Sequence, residues 1–533
     1  MIRLMRSLDT PNIALWICMA TAAVVIGRYF LARYKKPRWP ATVALVLIAL
    51  FVYGTQVHVR LTRYLERGSY GTFHYFIGSK YFDELGYFSL YRMTLLVDDQ
   101  GSQRLKGHVR RIRNLEDYSW QKYDHALNEA RREGPQIFTP ERWQEFRSDV
   151  GPMLRQTDVD TWNKLLTDHG FNPAPFWNVL PGAVAQHIEV KNRKAHTYWR
   201  VVDVLMFVLV LIALAVLCGL DSALLIFIFT NVNWYYPSHF HPTFFQFMWL
   251  HTLILAMVFY RRNRMATSGA FFALSAALRI FPMVFLAGPG IIWLRRIWKE
   301  RKLPRKQTFF LASFTITFVL AGLLGLTQGK GLQSTVQFAK NITMHAEEIR
   351  FAANKFGLTR LMCIDSADPG NHIRVPEREK NYANRPVSSR ALWLLLVGLA
   401  LAAMWIKIDD DHWVVPLGNV LIFALMVTSR YYYLMLVVFL IPGRDRQAHW
   451  FATISAAWIF FMHGLMFPLA KFNDWLAFTW GNFGFFLMFV GLPAALLIYR
   501  YREKRRETEL AVSDAAHSDA NDASLEQSPA ALE

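Results

Sequence analysis

Cysteine is scarce in this chain of 533 residues, which contains only three. Cys18 and Cys218 lie in apolar runs, Cys363 lies in a predicted loop, and no CxxC spacing occurs. Nothing therefore indicates a zinc knuckle or a disulfide framework. The sequence also lacks a P-loop, a GxSxG elbow, an HExxH motif and a GxGxxG segment between a strand and a helix. ATP-driven work, hydrolase-fold chemistry and dinucleotide cofactors are therefore unsupported.

Charged residues are also few, at 19% of the chain, whereas soluble domains carry about 25%. Hydrophobic residues make up 53% and occur in long blocks. The composition therefore predicts an all-α polytopic membrane protein. The net charge of +19 predicts basic cytoplasmic loops first and contact with anionic lipid second. No nucleic-acid motif is present, so nucleic acid is not an expected partner.

The first apolar run lacks a small-residue cleavage site and ends in a basic cluster, so it predicts a retained span rather than a signal peptide. The cluster around Lys35 follows this span, whereas only Arg3 and Arg6 precede it. The positive-inside rule places the cluster in the cytoplasm and the N-terminus outside. The later basic loops then predict about 13 crossings and a cytoplasmic C-terminus.

This topology divides the chain into six parts. They are two transmembrane helices (1–59), an external helical loop domain (60–198), transmembrane helices with a broken short-helix pair (199–327), a second external segment (328–390), C-terminal transmembrane helices (391–500) and a disordered cytoplasmic tail (501–533). The first loop has helical spacing over 114–133 and 139–156, and Thr139 and Pro140 form a typical helix start. Residues 168–173 are a turn cluster that ends this helical region.

Residues 71–92, just after the second span, are rich in Tyr and Phe and carry four ionisable side chains: His74, Lys80, Asp83 and Glu84. Counted at about 100° per residue, a helix here puts His74, Tyr81 and Glu84 on one flank and Asp83 opposite. Lys80 and Glu84 are four residues apart, a spacing at which they can pair. The cluster is either a functional site or an ordinary juxtamembrane helix with its charges in water.

Arg279 lies in an otherwise apolar segment with basic residues at both ends. Both ends are therefore expected in the cytoplasm, which implies two short helices broken near Arg279–Pro282 or at Gly288–Gly290. A cation at membrane depth normally faces a polar cavity or a partner, and a guanidinium suits a phosphate. The alternative is an arginine that snorkels from a short, shallow helix.

Aromatic residues and histidines cluster at 233–241. His239 and His241 suit a metal only if other ligands approach from elsewhere, so no metal site is assigned. With Trp234 and Tyr235 they suit a sugar or lipid headgroup, and the alternative is an aromatic belt with surface histidines. The second external segment adds a further polar group: His345, Glu347, Glu348, Asn354 and Lys355, followed on the same side by Arg430 and Tyr431.

Three short motifs occur in order: Thr72-Phe73-His74-Tyr75 through Gly86 to Leu90-Tyr91, Leu278-Arg279-Ile280-Phe281-Pro282, and Asn354-Lys355-Phe356-Gly357-Leu358. With the topology, they resemble the GT-C superfamily of integral-membrane glycosyltransferases over most of residues 40–500. The nearest resemblance is to the polyprenol-phosphate-mannose-dependent mannosyltransferase-like proteins, glycosyltransferase family 87.

The resemblance implies transfer of a sugar, a mannose-like hexose, from a polyprenyl-phosphate-linked donor to an envelope glycan or lipid acceptor. The reaction would invert the sugar's anomeric configuration at the external face of a bacterial inner membrane, without a nucleotide sugar. No cofactor is predicted, and the sequence does not decide whether a metal ion is needed. The leaving phosphate needs cations, for which Arg279, Arg430 and Lys80 are the candidates. The sugars need aromatic, imidazole and amide surfaces, for which the candidates are Tyr75, Tyr81, Trp234, Tyr235, His239, His241 and Asn354.

The general base is the point of departure from the family. Members of the family carry an Asp at this place in the external loop, whereas this chain has Thr72. Glu84, Asp83 or His74 must therefore remove the acceptor proton. The rival interpretations are a transporter or flippase for an envelope lipid or sugar, which needs the cavity but no base, and an inactive GT-C-like scaffold.

Overall fold

The computed structural model describes residues 10–57, 71–190, 193–232, 244–352, 354–363, 375–406, 411–441 and 446–526. Four of the predicted substrate-lining residues lie outside these ranges: Trp234, Tyr235, His239 and His241.

The chain is an all-α membrane protein, as its composition predicts. Within the described ranges, seven helices are long and apolar enough to cross a membrane: Asn12–Arg33, Trp39–Val57, Val201–Cys218, Arg305–Gly325, Val387–Trp405, Trp450–Phe472 and Asp474–Leu510. Five further apolar helices are shorter: Leu220–Asn231, Met248–Arg261, Met265–Leu278, His412–Leu425 and Arg430–Leu440. Strands in the described ranges form only two short antiparallel pairs.

Up to residue 190, the elements are α1 (Thr10–Arg33), α2 (Trp39–Val52), α3 (Gly78–Lys80), α4 (Phe82–Leu85), α5 (Leu90–Asp99), β1 (Arg111–Arg113), β2 (Trp120–Lys122), α6 (Tyr123–Ile137), α7 (Pro140–Gln156), α8 (Val159–Leu166) and α9 (Pro175–Gln186). The π-helix Tyr53–Val57 follows α2 directly, and a second π-helix, Thr72–Ile77, directly precedes α3. We call residues 71–190 the loop domain.

Beyond residue 190, the helices and strands are α10 (Arg193–Cys218), α11 (Leu220–Asn231), α12 (Met248–Arg261), α13 (Met265–Leu278), α14 (Ala287–Glu300), α15 (Arg305–Gly325), α16 (Leu332–Ile349), β3 (Lys355–Phe356), α17 (Leu358–Met362), α18 (Val375–Ala383), α19 (Pro386–Trp405), α20 (Gly418–Leu425), β4 (Thr428–Ser429), α21 (Arg446–Phe472) and α22 (Asp474–Glu526). Three segments are 3-10 helices: Phe281–Leu286, Asp411–Val414 and Arg430–Leu440.

Close helix packing builds the membrane part. α1 packs along α21, and α13 packs against both α12 and α15. At the α13–α15 contact, a Cβ atom on Gly269 would lie 2.2 Å from the carbonyl oxygen of Phe310. Only glycine permits this approach of two backbones, which is a common device between membrane helices.

Two local predictions are confirmed. Thr139 caps α7 by accepting a hydrogen bond from the backbone N–H of Arg142, and Pro140 is the first helical residue. The apolar segment is broken at Arg279: α13 ends at Leu278, and Arg279 is extended, with φ −149° and ψ 124°. The 3-10 helix that follows has Pro282 in its first turn, and a residue before proline avoids the helical conformation.

The structure differs from the sequence interpretation in two other segments, residues 114–133 and the tail after residue 500. Residues 114–133 are not one helix, because the β1–β2 hairpin occupies the first part and α6 begins only at Tyr123. Of the two alternative positions for the break in the apolar segment, Gly288–Gly290 is not used, since α14 runs through it. Residues 501–526 of the tail, which is predicted to be disordered, continue α22 up to Glu526, and residues 527–533 lie outside the described ranges.

Candidate functional site

A cavity of about 510 Å³, lined by apolar side chains and a group of charged and polar ones, lies where segments distant in sequence meet. They are the π-helix Thr72–Ile77, the turn after α8, the break after α13, helix α16 and the β3–β4 pair. Five predicted site residues line the cavity: His74, Tyr75, Arg279, Asn354 and Arg430. The described lining also contains Asp168, His169, His345, Lys355, Tyr431 and Tyr432.

The break after α13 presents Arg279 to the cavity. Its side chain is buried, at 6% exposure, and no carboxylate of the described residues forms an ion pair with it. Two of its nitrogens donate, to the carbonyl oxygen of Asn172 and to the hydroxyl of Tyr75, both at 3.3 Å. Its Nε atom has no partner among the described residues. The guanidinium is thus held in place with donor capacity remaining for an anion.

The β3–β4 pair brings two more cations to the cavity. Lys355 lies opposite Ser429 in the register, and its Nζ donates to the Ser429 hydroxyl at 3.0 Å. Arg430 follows directly in the chain and is exposed. Burial, opposed by the Asp168 carboxylate and reinforced by the Arg430 guanidinium, lowers the pKa of Lys355 to about 8. The cavity therefore combines three cations with Asp168, the single carboxylate among its described lining residues.

The turn after α8 carries that carboxylate. Gly170 takes a positive φ of 72° there, and its N–H donates to the hydroxyl of Tyr91 at 3.0 Å. From α16, Asn341 donates to the Asn172 side chain at 2.7 Å and to the Phe171 carbonyl at 3.3 Å. Together with the bond from Arg279 to Asn172, these contacts fix the turn between the loop domain and α13.

Three histidines of the described lining surround the cavity: His74, His169 and His345. The hydroxyl of Tyr91 lies 2.9 Å from His74 Nε2. This hydroxyl also accepts from the Gly170 N–H, so Tyr91 joins the His74 ring to the turn after α8. The rings of His169 and His345 lie edge to face with centroids 4.7 Å apart. Burial above all, with His169 and Lys355 nearby, lowers the pKa of His345 to about 3.

Lys80 and Tyr81, by contrast, do not line the cavity. Lys80 is 1% exposed, and its Nζ lies 2.8 Å from both Asp149 and Glu145 on α7. Tyr81 is buried and donates its hydroxyl to Asp149 at 2.9 Å. We therefore correct their assignment to the phosphate and sugar sites, because their polar groups instead join the start of the loop domain to α7.

Glu84 and Asp83 are also engaged outside the cavity. Glu84 pairs with Arg142 of α7 rather than with Lys80, as the spacing had suggested. Asp83 accepts a hydrogen bond from the Gly329 backbone N–H at 2.9 Å. The prediction assumed one regular helix. The chain instead forms a π-helix and then short α-helices interrupted at Tyr81, so a count at a constant angle per residue assigns the wrong faces.

Sequence reasoning treated Asp168 and His169 only as parts of a turn. The available signal was an Asp-His-Gly sequence immediately after a helix, in a loop domain already expected to contribute to a site. His345 and Lys355 were recognised as polar residues of the second external segment. Their position beside Arg279, however, depends on α16 and on the β3–β4 pair.

The fold and the site define a helical membrane protein with a cation-rich cavity at the break of a short helix pair. Comparison of the chain with protein-family models, with curated proteins and with solved structures finds no match.

Proposed function

We propose that this protein is a membrane glycosyltransferase of the GT-C type. It transfers a mannose-like hexose from a polyprenyl-phosphate-linked donor to an envelope glycan or lipid acceptor. The observation that carries the proposal is the cavity in which Arg279, Arg430 and Lys355 surround a space that also contains Asp168. In this proposal, the multi-pass chain crosses a bacterial inner membrane about 13 times, with the N-terminus outside and the C-terminus in the cytoplasm. The cavity opens to the external face.

The charge of the cavity suits the proposed leaving group. A polyprenyl-phosphate sugar is a phosphodiester with one negative charge. Breaking its bond to the sugar leaves a phosphate monoester with up to two. The three cations therefore attract the departing phosphate more strongly than the intact donor, and an interaction that strengthens along the reaction lowers its barrier.

The acceptor hydroxyl must lose a proton as it attacks. Asp168 replaces Glu84 and Asp83 as the carboxylate of the proton-accepting group, because it lines the cavity and they do not. Tyr75 and Tyr432 supply aromatic surface beside the cations, and Asn354 supplies an amide. Such groups suit the faces and hydroxyls of a sugar.

The direct test is transfer of labelled mannose from polyprenyl-phosphate mannose to a membrane acceptor by the purified protein in liposomes. Wild type is expected to transfer label. We expect Asp168→Asn to lower kcat about 10²–10⁴-fold, because the group that removes the proton loses its carboxylate. The matched control is Asp160→Asn, an exposed aspartate in the first turn of α8, which should retain activity.

Two results would contradict the proposal. Absence of transfer with any polyprenyl-phosphate hexose, combined with movement of the labelled lipid between leaflets, would favour a flippase. Absence of both activities would favour a scaffold without catalysis.

Binding of polyprenyl phosphate is expected to weaken as the pH rises through about 8. Below this pH the Lys355 ammonium is charged and attracts the phosphate, and above it the neutral amine does not. Arginine stays charged at these pH values, so Lys355→Arg should retain binding to higher pH. Titration calorimetry at several pH values measures the difference. The exposed Lys164→Arg variant should follow wild type, and coinciding curves for Lys355→Arg and wild type would exclude Lys355 as a phosphate ligand.

A further inference from the structure

His169 is held on three sides in the wall of the cavity. Its Nδ1 atom lies 3.4 Å from the Oδ1 atom of the Asp168 carboxylate. The His345 ring packs edge to face against the His169 ring, with a centroid distance of 4.7 Å and the planes 86° apart. The Tyr118 ring packs at 5.2 Å. The orientation of the imidazole is therefore set before any substrate enters.

The second ring nitrogen of His169 is available to a substrate. Nε2 is buried and has no hydrogen-bond partner among the described residues. A buried polar atom without a hydrogen-bond partner destabilises the folded protein, so such an atom requires an explanation. Since His169 lines the cavity, a hydroxyl group that enters the cavity can provide the missing partner.

The neighbouring carboxylate determines which nitrogen is basic. Asp168 beside Nδ1 favours the tautomer with the proton on that nitrogen, which leaves a lone pair on Nε2. The same order of groups, carboxylate, imidazole and hydroxyl, operates wherever a histidine activates a hydroxyl. Asp168 also stabilises the positive charge that the ring acquires when it takes a proton.

The other two imidazoles of the cavity are less suited to this role. The Tyr91 hydroxyl occupies Nε2 of His74. The low pKa of His345, about 3, makes this ring a weak base at neutral pH. Burial is the main cause, and the positive charge of Lys355 adds to it. His345 instead serves as a neutral wall that keeps the His169 ring in position.

We propose that His169 is the catalytic base of this site and that Asp168 is its positioning residue. The inference rests on the proposed glycosyl transfer. His169 Nε2 takes the proton of the acceptor hydroxyl while the acceptor oxygen bonds to the anomeric carbon of the donor sugar. The bond from that carbon to the phosphate oxygen breaks, and its electron pair remains on the phosphate beside Arg279 and Lys355. The imidazolium then releases its proton to water, which restores the base.

The test compares His169→Ala with wild type in the full-length protein in liposomes, with polyprenyl-phosphate mannose as donor. The variant is expected to lose about 10²–10⁴-fold in kcat while binding of polyprenyl phosphate stays close to that of wild type. Imidazole added to the buffer should restore part of the turnover, because it can enter the vacated space and act as the base. It should not restore Asp168→Asn, which keeps its own imidazole ring. His187→Ala, which changes an exposed histidine after α9, is the matched control and should behave as wild type.

Two results would overturn the assignment of His169. One is undiminished transfer by His169→Ala. The other is a loss that imidazole does not rescue while phosphate binding is intact, which would indicate that the ring only packs. If His169→Ala fails to fold, His169→Gln retains a polar side chain without a base and should show the same loss of kcat. If the wild-type protein transfers no sugar, both the proposed function and this inference are wrong. If transfer occurs but does not depend on His169, only this inference is wrong.

Discussion

Replacing Arg279 by leucine is expected to weaken binding of polyprenyl phosphate by about 2–5 kcal/mol, which corresponds to roughly thirtyfold to a few thousandfold in Kd. This is the range for truncating one member of a buried, hydrogen-bonded charge pair. The guanidinium is 6% exposed, and its two hydrogen bonds to Asn172 and Tyr75 are long, at 3.3 Å. Binding of a phosphate would therefore use donors that are already in position and incompletely satisfied.

Calorimetric titration of each variant with polyprenyl phosphate measures this effect. Arg295→Leu is the matched control, because Arg295 is also a buried arginine, at 5% exposure, but donates to the carbonyl oxygens of Trp405 and Ile406 and does not line the cavity. This control should lose stability and keep its affinity for phosphate. Wild-type affinity in Arg279→Leu would remove Arg279 from the site, and equal weakening in both variants would point to general damage to the fold.

Replacing Asp149 by alanine is expected to destabilise the loop domain by about 3–5 kcal/mol, the cost of leaving a buried charge without its partner. Asp149 is 2% exposed and accepts three hydrogen bonds, from Lys80 Nζ at 2.8 Å, the Tyr81 hydroxyl at 2.9 Å and the Val190 N–H at 3.0 Å. The remaining carboxylate near Lys80 belongs to Glu145, whose side chain is 38% exposed. Glu145 therefore compensates only in part.

Thermal and denaturant unfolding of the purified protein in detergent test this expectation. Asp160→Ala removes an exposed aspartate from the first turn of α8 and should lower stability by less than about 1 kcal/mol, because only a helix-dipole interaction is lost. The double variant Asp149→Leu/Lys80→Met should be more stable than Asp149→Ala, since it removes both charges. Equal stability of Asp149→Ala and Asp160→Ala would show that the buried pair is unimportant.

Local chemistry explains which structural predictions were confirmed. The start of α7 depends on the Thr139 side chain and on Pro140, and both act within one helical turn. The break at Arg279 follows from Pro282 and from the basic residues that flank the segment. The boundary that was missed, the start of α6, depends on pairing between two neighbouring strands rather than on helical periodicity. Residues 114–133 have helical spacing, yet the first part pairs as a hairpin.

In the candidate site, too, some residues can be recognised from their sequence neighbours and others cannot. Arg279 was found because a lone cation in an apolar segment is conspicuous and needs a polar environment. Glu84 was selected for its spacing, but Arg142, which lies 58 residues further along the chain, pairs with it. Asp168 gave only the signal of a turn, because nothing in its neighbours along the chain reveals that Lys355 and Arg279 line the same cavity.

The sequence by itself determined the helical membrane architecture, since apolar length and composition decide whether a segment can enter a bilayer. It also determined the helix start at Thr139 and the break at Arg279, because caps and prolines act over a few residues. Only the tertiary structure decided which polar groups share the cavity. Helix α16 and the β3–β4 pair bring His345, Lys355 and Arg430 to the turn that carries Asp168 and His169. Contacts between segments so far apart depend on packing across the whole chain.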